Sequence, residues 1–380
     1  MGVYVHIPFC EKKCYYCDFH SVVVGNQGAF AQITDSYLVS LRQEALYYRS
    51  AWGEEPLFSL FFGGGTPSVL PAQKLSAFIS FLRAELPFVK TPEITVEANP
   101  HSLNLEGAEI LAAAGVNRVS LGVQAFQDNL LQAIGRLHRV EHIAESVSNL
   151  RRAGIHDINL DLMFGLPGQS MDQWLETLES AVQLAPTHLS CYGLILESDT
   201  PFANWYKAGL LELPNDDQQA DMYQLTRSFL KQAGFEHYEI SNYCRSGYQS
   251  QHNLLYWRNR RFIGLGSGAT GYIQNQRYTN VADIKTYISS WKQGIPPYQE
   301  HDPVSVEQEM DETMMVGMRL LAGVSEQEFS QRFQVSYWDV YESEIKDLLS
   351  KGLVEFIDGH LRVTEEGLLL ENLVSGAFLR

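Results

Sequence analysis

The chain has 380 residues, of which 45% are hydrophobic and 19% charged, and it carries a formal net charge of -17. That is the composition of a folded globular protein large enough for a main domain and a smaller one. The acidic balance argues against sequence-independent nucleic-acid binding, which needs Lys and Arg to neutralise phosphates, and against docking by charge on anionic lipid.

The N-terminus, MGVYVHIPFC, reads as a strand with no basic segment and no long apolar run, so no leader peptide is expected. No apolar stretch is long enough for a transmembrane segment. The five cysteines are an odd number, which argues against a disulfide framework. A cytoplasmic location is the expectation.

Strand-like apolar runs then alternate with helical amphipathic ones. Strands are expected at Val3–Ile7, Leu57–Phe62, Ile94–Glu97, Arg118–Val123, Ile158–Phe164 and His188–Leu196. Helices are expected at Tyr37–Trp52, Gln73–Leu86, Leu105–Ala114, Ile143–Ala153 and Trp174–Leu184. Successive βα units imply an α/β fold with a parallel sheet, and six units fall short of a closed eight-stranded barrel. The expectation is a partial (β/α)6 barrel over residues 1–200.

Residues 201–300 read as an accessory α/β segment, with a helix at Gln218–Ala233 and a strand at His237–Tyr243. Residues 301–380 form a helical C-terminal region. From Ser325 its order is helix, helix, hairpin (Val354–Val363, turning at Asp358-Gly359) and short helix, which is winged-helix-like. Asp and Glu far outnumber Lys and Arg in this last stretch. A structural or protein-binding role is therefore expected there rather than DNA binding.

In parallel α/β sheets, functional residues gather at the C-terminal ends of the strands. The cysteines, Gly63–Thr66, Glu97, Gln124 and the Gly165–Pro167 turn all fall at expected strand ends. Cys10-Glu-Lys-Lys-Cys14-Tyr-Tyr-Cys17 places three thiols in one polar loop. Cysteine thiolates are the usual ligands of iron–sulfur clusters. Three of them on a four-iron cubane leave one iron open to a non-protein ligand, which suits the binding of a cofactor. S-adenosylmethionine (SAM) offers an amine and a carboxylate for that position. The spacing also leaves open a structural zinc site, with His6 or His20 completing a Cys₃His set.

A C-x3-C-x2-C loop directly after a strand is similar to the signature of the radical SAM superfamily. The longer string YVHIPFCEKKCYYCDF resembles the branch that holds oxygen-independent coproporphyrinogen III oxidase and a related heme chaperone. The resemblance implies a [4Fe-4S] cluster on Cys10, Cys14 and Cys17. It implies SAM contacts at Tyr4, Gly64, Gly65, Thr66, Glu97, Gln124, Arg136 and Asp161. Read without it, the Gly-Gly-Gly-Thr-Pro string is a glycine-rich turn. Glu97, Gln124 and Asp161 are then polar groups at strand ends that need partners.

His252-Asn253-Leu-Leu-Tyr256-Trp257 resembles an HNxxYW motif of the chaperone branch, which implies heme contact. An imidazole can ligate iron and aromatic rings can pack on a macrocycle. The alternative is a packed histidine with two core aromatics. Cys244 is a second soft ligand candidate, and Cys191 reads as buried.

Two departures separate the chain from the oxidase pattern. Phe19 stands where that pattern has a further cysteine, and the cluster strand starts almost at Met1, without the oxidase's long leading segment. The expected function is therefore a heme chaperone with a radical SAM core that delivers heme to apoproteins, respiratory enzymes among them, and that uses a reductant. The alternative is the oxidase itself. A radical SAM enzyme acting on RNA is disfavoured by charge.

Overall fold

The computed structural model describes residues 1–25, 27–52 and 55–380. The six expected runs form β1 (Gly2–Ile7), β2 (Leu57–Gly64), β3 (Phe88–Ala98), β4 (Arg118–Gln124), β5 (Asp157–Phe164) and β6 (His188–Gly193). They lie side by side in chain order, each parallel to the next.

Side chains alternate across these strands with a period of two. Val3, Val5, Leu60, Phe62, Ile94, Val96, Val119, Leu121, Leu160 and Leu162 are buried in one apolar core. Leu75, Phe78, Ile143, Val147, Trp174 and Leu178 of the crossover helices join them there. The intervening positions, including Tyr4, His6, Ser59, Glu97, Ser120, Asn159 and Asp161, fall on the opposite face. That polar face, with its hydrogen-bonding groups, is where a ligand site can form.

Four differences from the sequence reading have local causes. The first crossover helix is Gln27–Trp52, longer than expected. The Thr34 hydroxyl donates to the Phe30 and Ala31 carbonyls, both at 2.9 Å, and Phe30 and Ile33 pack on the core. The expected strand His237–Tyr243 is instead an antiparallel hairpin of β7 (Glu236–Glu239) and β8 (Asn242–Cys244). The buried Glu239 carboxylate accepts the Ser241 N–H at 3.3 Å and so fixes the turn.

Third, β9 (Phe262–Leu265) pairs parallel with β1 on its free side. Fourth, β10 (Thr270–Ile273), β11 (Gln276–Asn280) and β12 (Tyr298–Pro303) continue outward antiparallel. The result is a twelve-stranded open sheet in the order β12-β11-β10-β9-β1-β2-β3-β4-β5-β6-β8-β7.

The C-terminal region has its own core around Phe329, Tyr337, Tyr341, Ile345, Leu361, Val374 and Phe378. Helices Glu326–Phe333, Tyr337–Val340 and Glu342–Ser350 precede a hairpin, Val354–Ile357 with His360–Val363, and Val324–Ser325 adds a third strand. Asp358 and Gly359 both take positive φ at the turn, as expected for this dipeptide. Among the described residues no helix is long and apolar enough to cross a membrane.

Candidate functional site

One cavity opens at the C-terminal ends of the strands. Its wall includes Cys10, Cys14, Cys17, Gly64, Gly65, Thr66, Glu97, Gln124, Arg136 and Asp161. Residues from the N-terminal loop and from β2, β3, β4 and β5 therefore converge, although they are spread over more than a third of the chain.

The glycine loop holds the cysteine loop in place through its backbone. Gly65 N–H donates to the Ile7 carbonyl and Thr66 N–H to the Phe9 carbonyl, both at 2.8 Å. A Cβ on Gly65 would lie 2.6 Å from the Phe9 carbonyl oxygen. Gly64 takes φ +111, and a Cβ there would lie 2.5 Å from the His6 ring. Only glycine permits both the conformation and the approach. Thr66 Oγ1 lies 3.7 Å from Cys10 Sγ and accepts from Asn99 Nδ2 at 3.3 Å.

Arg136 reaches the cavity from the turn after Asp128–Ala133. Its guanidinium donates to Cys14 Sγ at 3.6 Å, to Asn99 Oδ1 at 2.7 Å and to the Gly122 carbonyl. Asp161 accepts from Ser120 at 2.8 Å and from Asn159 at 2.7 Å. Glu97 accepts the Gly64 N–H at 3.2 Å. Burial, and then repulsion from Asp161, push the Glu97 carboxyl up to about 8. Burial also raises Asp161 against its hydrogen bonds. A cationic ligand in this cavity would relieve both carboxyls. Gln124 holds φ +69, a conformation rare for a non-glycine residue, at the same rim.

Tyr4 stands off this wall. Its hydroxyl bonds His6 Nδ1 at 3.0 Å and its ring stacks on Phe61. His6 Nε2 bonds the His20 carbonyl at 2.8 Å. His6 thereby ties the cysteine loop's exit to the strand that leads into it.

No three His, Cys, Asp or Glu among the described residues converge on a single ion. A cubane spreads its thiolates over separate irons, and three thiols around one cavity fit that arrangement. Burial pushes Cys10 up and Cys17 up to about 11. Such thiols ionise when they meet a cationic metal centre.

The HNxxYW helix, Gln251–Trp257, lies at the other end of the sheet. Both carboxylate oxygens of Glu93 accept N–H groups from its first turn, from Gln251 at 2.8 Å and His252 at 3.0 Å. His252 is 1% exposed. Its Nδ1 bonds Ser59 Oγ and its Nε2 bonds Tyr256 Oη, both at 2.8 Å, and its ring stacks on Phe61. Iron ligation by His252 would need one of those bonds to be given up. The Ser250 hydroxyl caps Asn253 N–H at 3.3 Å. Trp257, half-buried, instead lines a second cleft facing the C-terminal region. The structure thus places His252 and Trp257 in different surroundings.

Comparison with known proteins agrees with this architecture. Residues 4–181 match the radical SAM superfamily model, and residues 304–370 match the HemN C-terminal domain model. The heme chaperone HemW of Bacillus subtilis is 40% identical over 100% of this chain and 99% of its own length. The Lactococcus lactis heme chaperone HemW is 37% identical over 100% and 97%. The chain belongs to the radical SAM superfamily. The structure of Escherichia coli coproporphyrinogen III oxidase (HemN), described as a radical SAM enzyme, superposes with a TM-score of 0.85 at 25% identity, covering 99% of this chain and 89% of that one. The [4Fe-4S] cluster and SAM are the cofactors of this superfamily.

The wall residues that the sequence reading did not assign include Asn99, Ser120 and Tyr16. Asn99 joins Arg136 to Thr66. Its signal was available, since it follows Glu97 at a strand end just before Pro100.

Proposed function

We propose that this chain is a cytoplasmic heme chaperone built on a radical SAM core, which binds heme and passes it to apoproteins, respiratory enzymes among them. The observation that carries this reading is identity along the whole chain, at 40% and 37%, to two relatives named heme chaperone HemW. Cys10, Cys14 and Cys17 hold the cluster. Gly64, Gly65, Thr66 and Glu97 contact SAM, with Gln124, Arg136 and Asp161 completing the wall and Tyr4 supporting it. When bound, the cluster supplies electrons received from a reductant and one iron open to a non-cysteine ligand.

The protein's own groups do the positioning. Arg136 neutralises charge beside Cys14, the glycine loop sets the position of Cys10, and Glu97 with Asp161 offers oxygen acceptors to an amine or a ribose hydroxyl. Lys12 and Lys13 stand at the mouth, where they favour an anionic group on an entering ligand.

The oxidase is the second reading, favoured by the likeness to the HemN structure. Against it, Phe19 takes the place of the further cysteine and is 62% exposed at the cavity mouth. Anaerobic reconstitution followed by separate titration with heme, SAM and coproporphyrinogen III divides the readings. The expected result is binding of heme and SAM without conversion of coproporphyrinogen III. Conversion to protoporphyrinogen with SAM consumed would restore the oxidase. Replacing any one of Cys10, Cys14 or Cys17 by Ala should abolish the broad visible absorbance of the cluster. Stoichiometric zinc, without iron or sulfide, in anaerobically purified protein would refute the cluster.

A further inference from the structure

A buried polar layer underlies the cavity wall. Strand register places Ser120, Asn159 and His188 in one row across β4, β5 and β6. The next row toward the C-terminal ends is Gly122, Asp161 and Ser190. The period of two along a strand puts both rows on the same face. Ser120, Gly122 and Asp161 line the cavity. Asn159 and His188 are buried beneath it.

The hydrogen bonds of this layer run in one direction, toward Asp161. Ser120 Oγ donates to Asp161 Oδ2 at 2.8 Å, and Asn159 Nδ2 donates to Asp161 Oδ1 at 2.7 Å. The other end of the Asn159 amide, Oδ1, faces His188 Nδ1 at 2.6 Å and accepts from Ser190 Oγ at 3.2 Å. An amide oxygen only accepts, so Nδ1 carries the imidazole proton. Nε2 is then the acceptor and takes the Tyr238 hydroxyl at 2.8 Å. Tyr238 Oη in turn accepts the Ser250 N–H at 3.3 Å. Ser250 is the N-cap of the HNxxYW helix.

The direction is set at its end. An ionised carboxylate only accepts, so Asn159 must turn its NH₂ to Asp161 and its oxygen to His188. The His188 N–H holds that orientation, because a flipped amide would bring its NH₂ against the imidazole proton. Burial, and then the charge of Arg118, hold the His188 ring well below the ordinary histidine value. The ring is therefore neutral, with one proton to give and one lone pair to accept. Aligned bonds in a water-free interior polarise and strengthen one another.

We propose that His188 is a positioning residue for SAM: its Nδ1–H fixes the Asn159 amide, which aims the Asp161 carboxylate at an amine or ribose hydroxyl of the cofactor. The proposal rests on the reading of Asp161 as a SAM contact and extends it to a residue outside the cavity wall. Without the His188 donor the Asn159 amide is free to turn, and Asp161 loses the partner of one oxygen.

The test is equilibrium dialysis of SAM against the full-length reconstituted protein, with bound SAM normalised to iron content. His188→Asn and His188→Leu have nearly the same shape and lose the same packing, but Asn keeps an N–H within reach of Asn159. His188→Leu should weaken SAM binding by about tenfold, the scale of one buried hydrogen bond to a polar network, and His188→Asn should restore most of that loss. In an Asp161→Asn background, His188→Leu should cost no further affinity, because groups acting through one another are not additive. Tyr238→Phe, which removes a single oxygen, supplies the same cycle if His188→Leu does not hold its cluster. Its expected loss is about threefold in the wild-type background and none beside Asp161→Asn. Equal losses in His188→Asn and His188→Leu, or the same loss with and without Asp161→Asn, would overturn the proposal and leave His188 a packing residue. Unchanged SAM affinity in Asp161→Asn alone would instead overturn the Asp161 assignment beneath it.

Discussion

Glu97 is a buried carboxyl whose proton is held up to about 8, by burial first and by Asp161 second. A carboxyl raised in the fold is most comfortable neutral, so the stability it allows at low pH is lost as pH rises from the ordinary carboxylate range through about 8. A bound ammonium or sulfonium reverses the preference and draws the proton off. SAM affinity should therefore rise between about pH 6.5 and about pH 8.5, with a proton released on binding. Glu97→Gln should flatten that slope and cost about 1–3 kcal/mol of binding. Calorimetry in buffers of different ionisation enthalpy measures both; an unchanged slope in the variant would detach Glu97 from SAM.

His252 shows the opposite sign. Burial pushes its ring down to about 3, so it is neutral at physiological pH. The stability that this neutral ring supports is present above the ordinary histidine value and lost as pH falls toward 3. His252→Ala removes two buried hydrogen bonds and a stacked ring. It should cost about 2–4 kcal/mol and reduce acid lability below about pH 6.5. The cluster absorbance should not change, because the ring sits at the other end of the strands. Thermal melts across pH check this. A melt equal to wild type would show that His252 is not a packing residue, and would turn attention to its motif role in heme contact.

At the scale of elements, the glycine loop is the hinge between chemistry and fold. Gly65→Ala should push the loop off the Phe9 carbonyl and, through Thr66 N–H, disturb Cys10. Cluster content per chain after reconstitution should fall, while Gly25→Ala, with nothing within 4 Å of its Cβ, should retain it. Equal iron content in both variants would contradict the clamp.

The same loop shows what the sequence makes legible. Strand runs such as Leu57–Phe62 announce themselves by apolar continuity, and the polar or glycine residues that end them then mark the rim. That logic located the cysteines, Gly64–Thr66, Glu97 and Gln124 around one cavity, because the C-terminal ends of parallel strands converge by topology, whereas the Gly165–Pro167 turn, expected at the same rim, is not on its wall. It could not find β9 to β12. Phe262–Leu265 is short and runs into glycines, and Gly264 packs against the Thr270 carbonyl, where a Cβ would lie 1.8 Å away. Tyr298–Pro303 is almost wholly exposed and shows no alternation. The hairpin at 236–244 was hidden because its turn is closed by a buried Glu239 rather than by glycine or proline. The separation of His252 from Trp257 was also invisible, since it depends on the helix plugging the sheet at a place that only tertiary packing decides.

For the molecule as a whole, the cysteine-lined cavity lies at the C-terminal ends of the strands, and the HNxxYW helix lies at the other end. The most direct measurement is heme transfer. The reconstituted chain is loaded with heme, freed of excess, and mixed with an apo-hemoprotein whose activity reports heme uptake. The account predicts that activity recovers in step with loss of the Soret signal from this chain, and that coproporphyrinogen III is left unconverted in a parallel anaerobic reaction. Heme that never leaves the chain, together with conversion of coproporphyrinogen III, would contradict it.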